Sequence, residues 1–454
     1  MNWSWFKLIS LFLVLTGFLT TGFGCKLVGG EVKEKLTPIT LDYWRVWDDG
    51  DAFDEIIAEY KALHPNITIN YRKFRYEEFE KELLEALAED RGPDIFSIHE
   101  SWLKKYQSKI APMPKEISLV YQVTKGNLKK EVIPELRRTA TPTLREIKDK
   151  FADTVYQDAV INEKVYGLPL GLESLVMFYN RDILNAAGVA EAPKTWEEFM
   201  SAVQKTTRFD NQDNITQAGA ALGTGNNIDR SFDIISILML QNGATMMEGN
   251  QAAFTNRGAN KNLPGLEALQ FYTDFALATK NVYSWNKDMP YSLDAFLTGR
   301  LAFFFGYNYH LPTIKARAPR LNFAIAPIPQ VNVSAPINYA SYWLESVSAK
   351  SKHSAEAWDF IIFATTNERV KSYLDKTQKP AALKSLINSQ LEDEYLYAAS
   401  TQTLTAVNWY VGQDPLAAET ALKEMLDQLS EAIDEKEFKN IINNGISKIN
   451  QTIQ

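Results

Sequence analysis

A chain of 454 residues with 45% hydrophobic content is too long for one ordinary core and predicts two domains interwoven in sequence. Its net charge is -8 and its basic residues are scattered, which argues against nucleic acid as a partner. Ten Trp and twenty Tyr favour a binding surface over a bare scaffold.

Met1 to Phe6 and Lys7 lead into the apolar run Leu8 to Leu19, a short positive region before a hydrophobic segment of signal length. Residues 1–24 therefore read as an export signal. Gly22 and Gly24 precede Cys25, the only cysteine, in the sequence TTGFGCK, which resembles the lipobox of bacterial lipoproteins. The resemblance implies a lipid on Cys25, although Gly22 and Phe23 stand where an aliphatic and a small residue are usual. The alternative is an uncleaved signal anchor, since the run is near the lower length for spanning a bilayer. In both cases the body sits outside the cytoplasmic membrane; with the lipid, residues 25–36 are the lipidated cysteine and a tether.

Ile39 to Val46 alternates as a strand and is broken by Asp48-Asp49-Gly50. Phe53, Ile56, Ile57, Tyr60 and Leu63 recur at helical spacing up to His64-Pro65-Asn66, and Ile67 to Tyr71 is a second strand. A further helix carries Phe79, Leu83, Leu84 and Leu87 on one face, and Asp94 to Ile98 is a third strand whose end presents His99, Glu100, Ser101 and Trp102. Strands alternating with amphipathic helices imply an α/β fold with a mostly parallel sheet covered on both sides. Ligands collect at the carboxyl ends of such strands, here around Trp47-Asp48-Asp49 and Glu100-Ser101-Trp102.

From about Ile110 to Asp158 the chain reads as a charged, helical surface excursion interrupted by Pro112, Pro114, Pro134 and Pro142. Tyr166 to Asn180 is extended, loosened by Gly167, Pro169 and Gly171, and has the composition of a strand passing between domains. Thr195 caps a helix with Glu198 as its capping-box partner, and Asp210 to Asn214 reads as a turn. Phe296 and Leu297 face inward on a helical turn that ends at Gly299, and Leu301 to Phe305 is a buried strand stopped by Gly306. Tyr307 and Tyr309 then flank Asn308 on a loop held by that strand.

YGLPLGLESLVMFYNRDILNAAGV followed by APKTWEEF is similar to the hinge and the first second-lobe elements of the family 1 extracellular solute-binding proteins of ABC importers, the maltose-binding-protein-like group. FLTGRLAFFFGY resembles the same family's glycine-punctuated strand, with Phe303 standing for Met and Tyr307 for Trp. SVSAKSKHSAEAWDFIIFATTNE resembles its later strand and helix, with Ser354 as cap over buried Trp358, Ile361 and Ile362.

The resemblance implies a two-lobed periplasmic-binding-protein-like fold of type II, each lobe a mostly parallel sheet flanked by helices, joined by crossover strands and closing on ligand by a hinge. It places residues 37–170 plus 327–375 in the first lobe and 171–326 plus 376–454 in the second. Ala324 to Pro329 fits the second crossover and Lys376 to Pro380 the third.

A sugar offers hydroxyls and patches of C–H, so its site needs aromatic platforms beside carboxylates, amides and guanidinium groups. The loops expected to face the cleft supply Trp47, Asp48, Glu100 and Trp102 from the first lobe, Glu173 from the crossover, and Tyr307 and Asn308 from the second. Tyr342, Trp343 and Glu345 lie just before Ser346-Val347-Ser348, where the family contacts ligand. Trp409 and Tyr410 either add a wall or pack in the C-terminal helical core. For any single Trp the plain alternative is packing within a lobe.

Four histidines without paired spacing, no Gly-x-Ser-x-Gly elbow and no phosphate-cradling loop call for no metal, cofactor or catalytic centre. The expected partners are a small solute, a carbohydrate, and the ABC permease, with the membrane reached through Cys25. Three alternatives stand beside this reading. Asp48, Asp49, Glu100, Glu173 and Glu345 would suit a cation such as a polyamine. Two of the acids could act as glycosidase carboxylates. A surface adhesion lipoprotein is the third.

Overall fold

The computed structural model describes residues 36–126, 130–258 and 261–454, so the export segment and Cys25 lie outside it. In the first lobe Ile39–Val46 pairs in parallel with Ile67–Phe74 on one side and Ile95–His99 on the other. The helices Asp54–Leu63 and Tyr76–Ala88 make the connections and bury Ile56, Tyr60, Phe79, Leu83 and Leu87 against the sheet. This is the alternation expected from the spacing. Trp343–Ser348 then enters the same sheet antiparallel, between Ile95–His99 and Ile110–Ala111.

The second lobe repeats the plan with the order Arg208–Phe209, Ile215–Ala220, Leu301–Gly306, Val176–Asn180, Phe323–Pro327. Only Ile215–Ala220 and Leu301–Gly306 pair in parallel there. Both sheets are thus mixed rather than mostly parallel. A chain that leaves one lobe and re-enters the other comes in from the cleft side, and its strand must run against those built by local βαβ connections.

Two apolar cores result, one around Tyr43, Phe96, Trp358 and Tyr373, the other around Phe178, Phe199, Trp285 and Phe303. Their membership moves the expected boundaries. Ile328 and Tyr339 belong to the second core, while Ala381, Ala382, Leu383 and Ile387 belong to the first. Phe323–Pro327 is an edge strand of the second sheet and not a crossover, so the second crossing falls between Tyr339 and Ala340. The third follows Ile387, because Ala381 bridges to Gly171 within the first lobe.

The first two crossings lie side by side, with a later strand beside them. Asn338–Ser341 pairs in parallel with Ala406–Val407 and antiparallel with Glu173–Ser174, a three-stranded ribbon between the two sheets. Gln402 staples it: its side-chain amide nitrogen donates to Ser174 Oγ and the Leu175 carbonyl, both at 2.8 Å, and its oxygen accepts from the Ile328 amide at 2.8 Å. Upstream, Gly167 runs so close to Trp343–Ser348 that a Cβ there would meet Leu344 Cβ and Ser346 Oγ at 2.8 Å, so a side chain has no room.

Three further readings change. The region expected to be helical holds an antiparallel hairpin, Glu116–Lys125 with Glu131–Ala140, and helices only at Leu144–Lys150 and Asp153–Ala159. Ser354 is the first residue of its helix rather than the cap, which is His353, and Ile362 is only half-buried. The Thr195–Glu198 capping box and the turn at Asp210, whose carboxylate accepts from the Gln212 and Asn214 amides, are as expected.

Candidate functional site

Between the lobes lies a cavity of about 520 Å³, a size suited to a small organic ligand. Of the residues expected to face it, Trp47, Glu100, Trp102, Glu173, Tyr342 and Trp343 line its wall. Asp48, Tyr307, Asn308 and Glu345 do not. They form the layer behind the wall.

Asp48 and Glu345 are held there by Arg45, a buried residue with no place in the sequence reading. Arg45 reaches Asp48 and Glu345 at 3.1 Å each. Glu345 also accepts from Tyr43 Oη and Ser97 Oγ at 2.7 Å, and Asp48 from Lys379 Nζ at 2.6 Å and Tyr373 Oη at 2.8 Å. Burial opposes ionisation of Asp48, but Lys379 and Arg45 hold its carboxyl below the usual range. Tyr307 is fully buried and donates to Asp233 at 2.7 Å. Asn308 starts a short 3-10 turn, and its side-chain nitrogen donates to the Tyr395 carbonyl at 2.7 Å.

Aromatic rings cross the cleft as a column. Tyr76 stacks on Trp47 with centroids 5.3 Å apart and planes 19° from parallel, Trp47 faces Tyr309 at 6.0 Å and 9°, and Tyr309 stacks on Tyr307 at 5.5 Å and 27°. Trp47 has φ +73°, and the Asp48 amide donates to the Val46 carbonyl at 3.0 Å, the bond of a positive-φ γ-turn. Tyr71 Oη donates to the Asp48 carbonyl at 2.6 Å and pins the turn. The strained backbone aims Trp47 out of the sheet end, leaving it 46% exposed. Trp343 packs edge-on to Trp102 at 5.5 Å and to His99 at 5.5 Å. Trp409 is core instead, stacked on Phe232 with its Nε1 donating to Ser236 Oγ, while Tyr410 lines the cavity.

The polar groups on the wall differ in how they are satisfied. Glu173 sits on the crossover ribbon, where one oxygen accepts from the Asn308 amide at 3.0 Å and the other, Oε1, has no partner. Burial pushes its carboxyl up to about 7 against the opposing pull of Lys379. Glu100 lies 2.7 Å from His99 Nδ1. The second lobe adds Arg230, in the left-handed region at φ +55°, paired with Asp233 at 2.6 Å, and His310 paired with Asp229 at 2.7 Å. These, with Tyr76 and Lys379, line the cavity without having been singled out as its residues, and Tyr309, one of the two aromatics expected on the loop after Leu301 to Phe305, lines it as well. The one available cue was the charged and aromatic Asp229-Arg230-Ser231-Phe232-Asp233 at the start of the apolar helix Ser231–Gln241.

At the rim, Lys104 Nζ donates at 2.9 Å to the Ile453 carbonyl, where the helix Glu435–Ile453 of the second lobe ends. Among the described residues no group of three or more His, Cys, Asp or Glu is placed to hold a metal, and no helix is long and apolar enough to cross a membrane.

Residues 46–371 match the family model described as bacterial extracellular solute-binding protein. The galactooligosaccharide-binding protein of Bacillus subtilis (strain 168) is 24% identical over 255 residues, 54% of this chain and 55% of that protein. Two solved structures share the fold. The cyclic α-maltosyl-1,6-maltose binding protein from Arthrobacter globiformis superposes with a TM-score of 0.71 at 18% identity, over 92% of this chain and 99% of its own. The sugar-binding protein MalE from Xanthomonas citri gives 0.69 at 16% identity, over 91% and 97%. The structural likeness speaks for the two-lobed architecture alone; the family match spans most of the sequence, and on it the chain belongs to the bacterial extracellular solute-binding proteins.

Proposed function

We propose that the chain is the extracytoplasmic receptor of an ABC importer, that it captures a carbohydrate between its lobes by hinge closure, and that it delivers this solute to the permease. The observation that carries the reading is the aromatic column Tyr76, Trp47 and Tyr309 set across the cleft, with Trp102 and Trp343 beside it and carboxylates within the same wall. Flat apolar faces next to hydrogen-bonding groups match the two surfaces of a pyranose. Relatives named for galactooligosaccharide and maltosyl sugars agree with it.

A polyamine site needs acids free to meet ammonium groups, and most acids here already hold a cation: Asp48 and Glu345 share Arg45, Asp233 has Arg230, Glu419 has Lys423 and Glu80 has Lys105. Lipidation of Cys25 fits the same role by tethering the receptor at the membrane beside its permease. The test is a thermal-shift panel of malto- and galacto-oligosaccharides, polyamines and amino acids. A ligand at a hundred times its Kd adds about 2.7 kcal/mol, and a response to polyamines alone would overturn the sugar reading.

A further inference from the structure

Glu173 stands apart from the other acids of the cleft. It is carried on the crossover ribbon, which neither lobe owns, and it lines the cavity. Its Oε2 is committed as an acceptor, because the Asn308 amide of the second lobe donates to it at 3.0 Å. Its Oε1 is buried and meets no hydrogen-bond partner in the protein. A buried polar atom in that position is costly unless a ligand satisfies it.

The chemistry of the carboxyl decides what kind of partner it needs. The oxygen that accepts an N–H is the carbonyl-like one, so a proton on this carboxyl resides on the other, Oε1. The charged groups facing it are few. Lys379 favours the anion, but its ammonium is taken by Asp48 at 2.6 Å, and Asp48 itself opposes a second negative charge. From the second lobe the Tyr309 hydroxyl faces it, and that group ionises only far above neutrality. Burial dominates and keeps the proton on Glu173 up to about pH 7.

We propose that Glu173 offers a carboxylic O–H from Oε1 to an acceptor atom of the bound solute, and that this bond joins the solute to the crossover ribbon. The inference rests on the carbohydrate reading above and adds to it the kind of atom recognised. A ring or glycosidic oxygen can only accept, and a carboxylate would repel it. A protonated acid binds it.

Two measurements test this, on the full-length protein. Infrared difference spectra between pH 5 and 9, taken without added sugar, should show the carbonyl stretch of a neutral carboxyl near pH 6 that Glu173→Gln removes. Binding of maltotetraose and of a galactotriose should fall about tenfold in the wild type between pH 6 and 8.5, the scale of one lost hydrogen bond to a buried group. Glu173→Ala should lose about as much already at pH 6. Glu173→Gln, which keeps a donor, should recover part of that loss and show no such pH dependence. Absence of the band overturns the proposal whatever the sugars do. A Glu173→Gln protein that binds worse than Glu173→Ala overturns it too, since the carboxylate would then be the recognised form. A band with no saccharide bound at any pH sinks the carbohydrate reading and this inference with it, and the band tells that failure from the first.

Discussion

Trp47 of the first lobe lies parallel to Tyr309 of the second, with ring planes 9° apart and centroids at 6.0 Å. The contact spans the cleft from one sheet end to the other, so the two rings that flank the cavity are also a direct link between the lobes. Any solute that inserts between them must move a lobe, and any solute that lies beside them gains a wall from each.

Trp47→Ala is expected to weaken oligosaccharide binding by tenfold or more while shifting the melting temperature little, because the ring is half out of the protein. The positive φ of Trp47 gives a second handle. Trp47→Gly should bind as poorly as the alanine variant yet be more stable by about 1 kcal/mol, since only glycine is at ease in that backbone region. Calorimetric titration and urea unfolding of the pair separate the two effects.

Arg45→Met should be far more damaging than a change at the wall. It leaves buried Glu345 without its cation, while Asp48 keeps Lys379, and removing one partner of such a pair costs about 3 to 5 kcal/mol. Urea denaturation should show it, and a stability within about 1 kcal/mol of wild type would mean the network relaxes or takes up water.

Tyr307→Phe tests the layer behind the cavity. The hydroxyl donates to Asp233, which in turn positions Arg230 on the wall. Loss of a hydrogen bond to a charged group predicts destabilisation of about 1.5 to 3 kcal/mol. Sugar affinity should change less than in Trp47→Ala, because Tyr307 itself is fully enclosed.

Asp158 sets a pH dependence at the hinge. It accepts from Tyr342 Oη and from Asn408 Nδ2 at 2.6 Å, and burial raises its carboxyl to about 6. The ordinary value is about 3.9, so between the two the folded chain keeps a proton that the unfolded chain releases. The stabilisation is fully present below about pH 4 and is lost as pH rises through 6. Asp158→Asn should flatten that slope by about 2 kcal/mol in unfolding curves taken at pH 4 and pH 7.

The parts of the fold legible in the sequence were those with local periodicity: the βαβ unit from Ile39, the capped helix at Trp196 and the buried strand Leu301–Gly306. The hairpin at Glu116 was missed because its second strand, Glu131–Ala140, is largely exposed and carries Pro134 with the charges Glu131, Glu135, Arg137 and Arg138, so it reads as a solvated excursion rather than a strand. The crossings were misplaced because a strand entering the other lobe's sheet has the same apolar composition as one staying home. In the site, aromatics at strand ends announced themselves, as Trp47, Trp102 and Trp343 show. Arg45 and Lys379 did not, since their grouping with Asp48 and Glu345 depends on segments some three hundred residues apart that no local pattern connects. Tyr76 and Arg230 sit at helix starts, where nothing in spacing separates a site residue from a solvated one.

The bond from Lys104 to the Ile453 carbonyl has a practical side. A purification tag or fluorescent fusion joined after Gln454 would begin two residues beyond a carbonyl that the two lobes share. Its bulk would sit where the jaws meet, and an affinity measured on such a protein would describe the fusion's obstruction as much as the receptor.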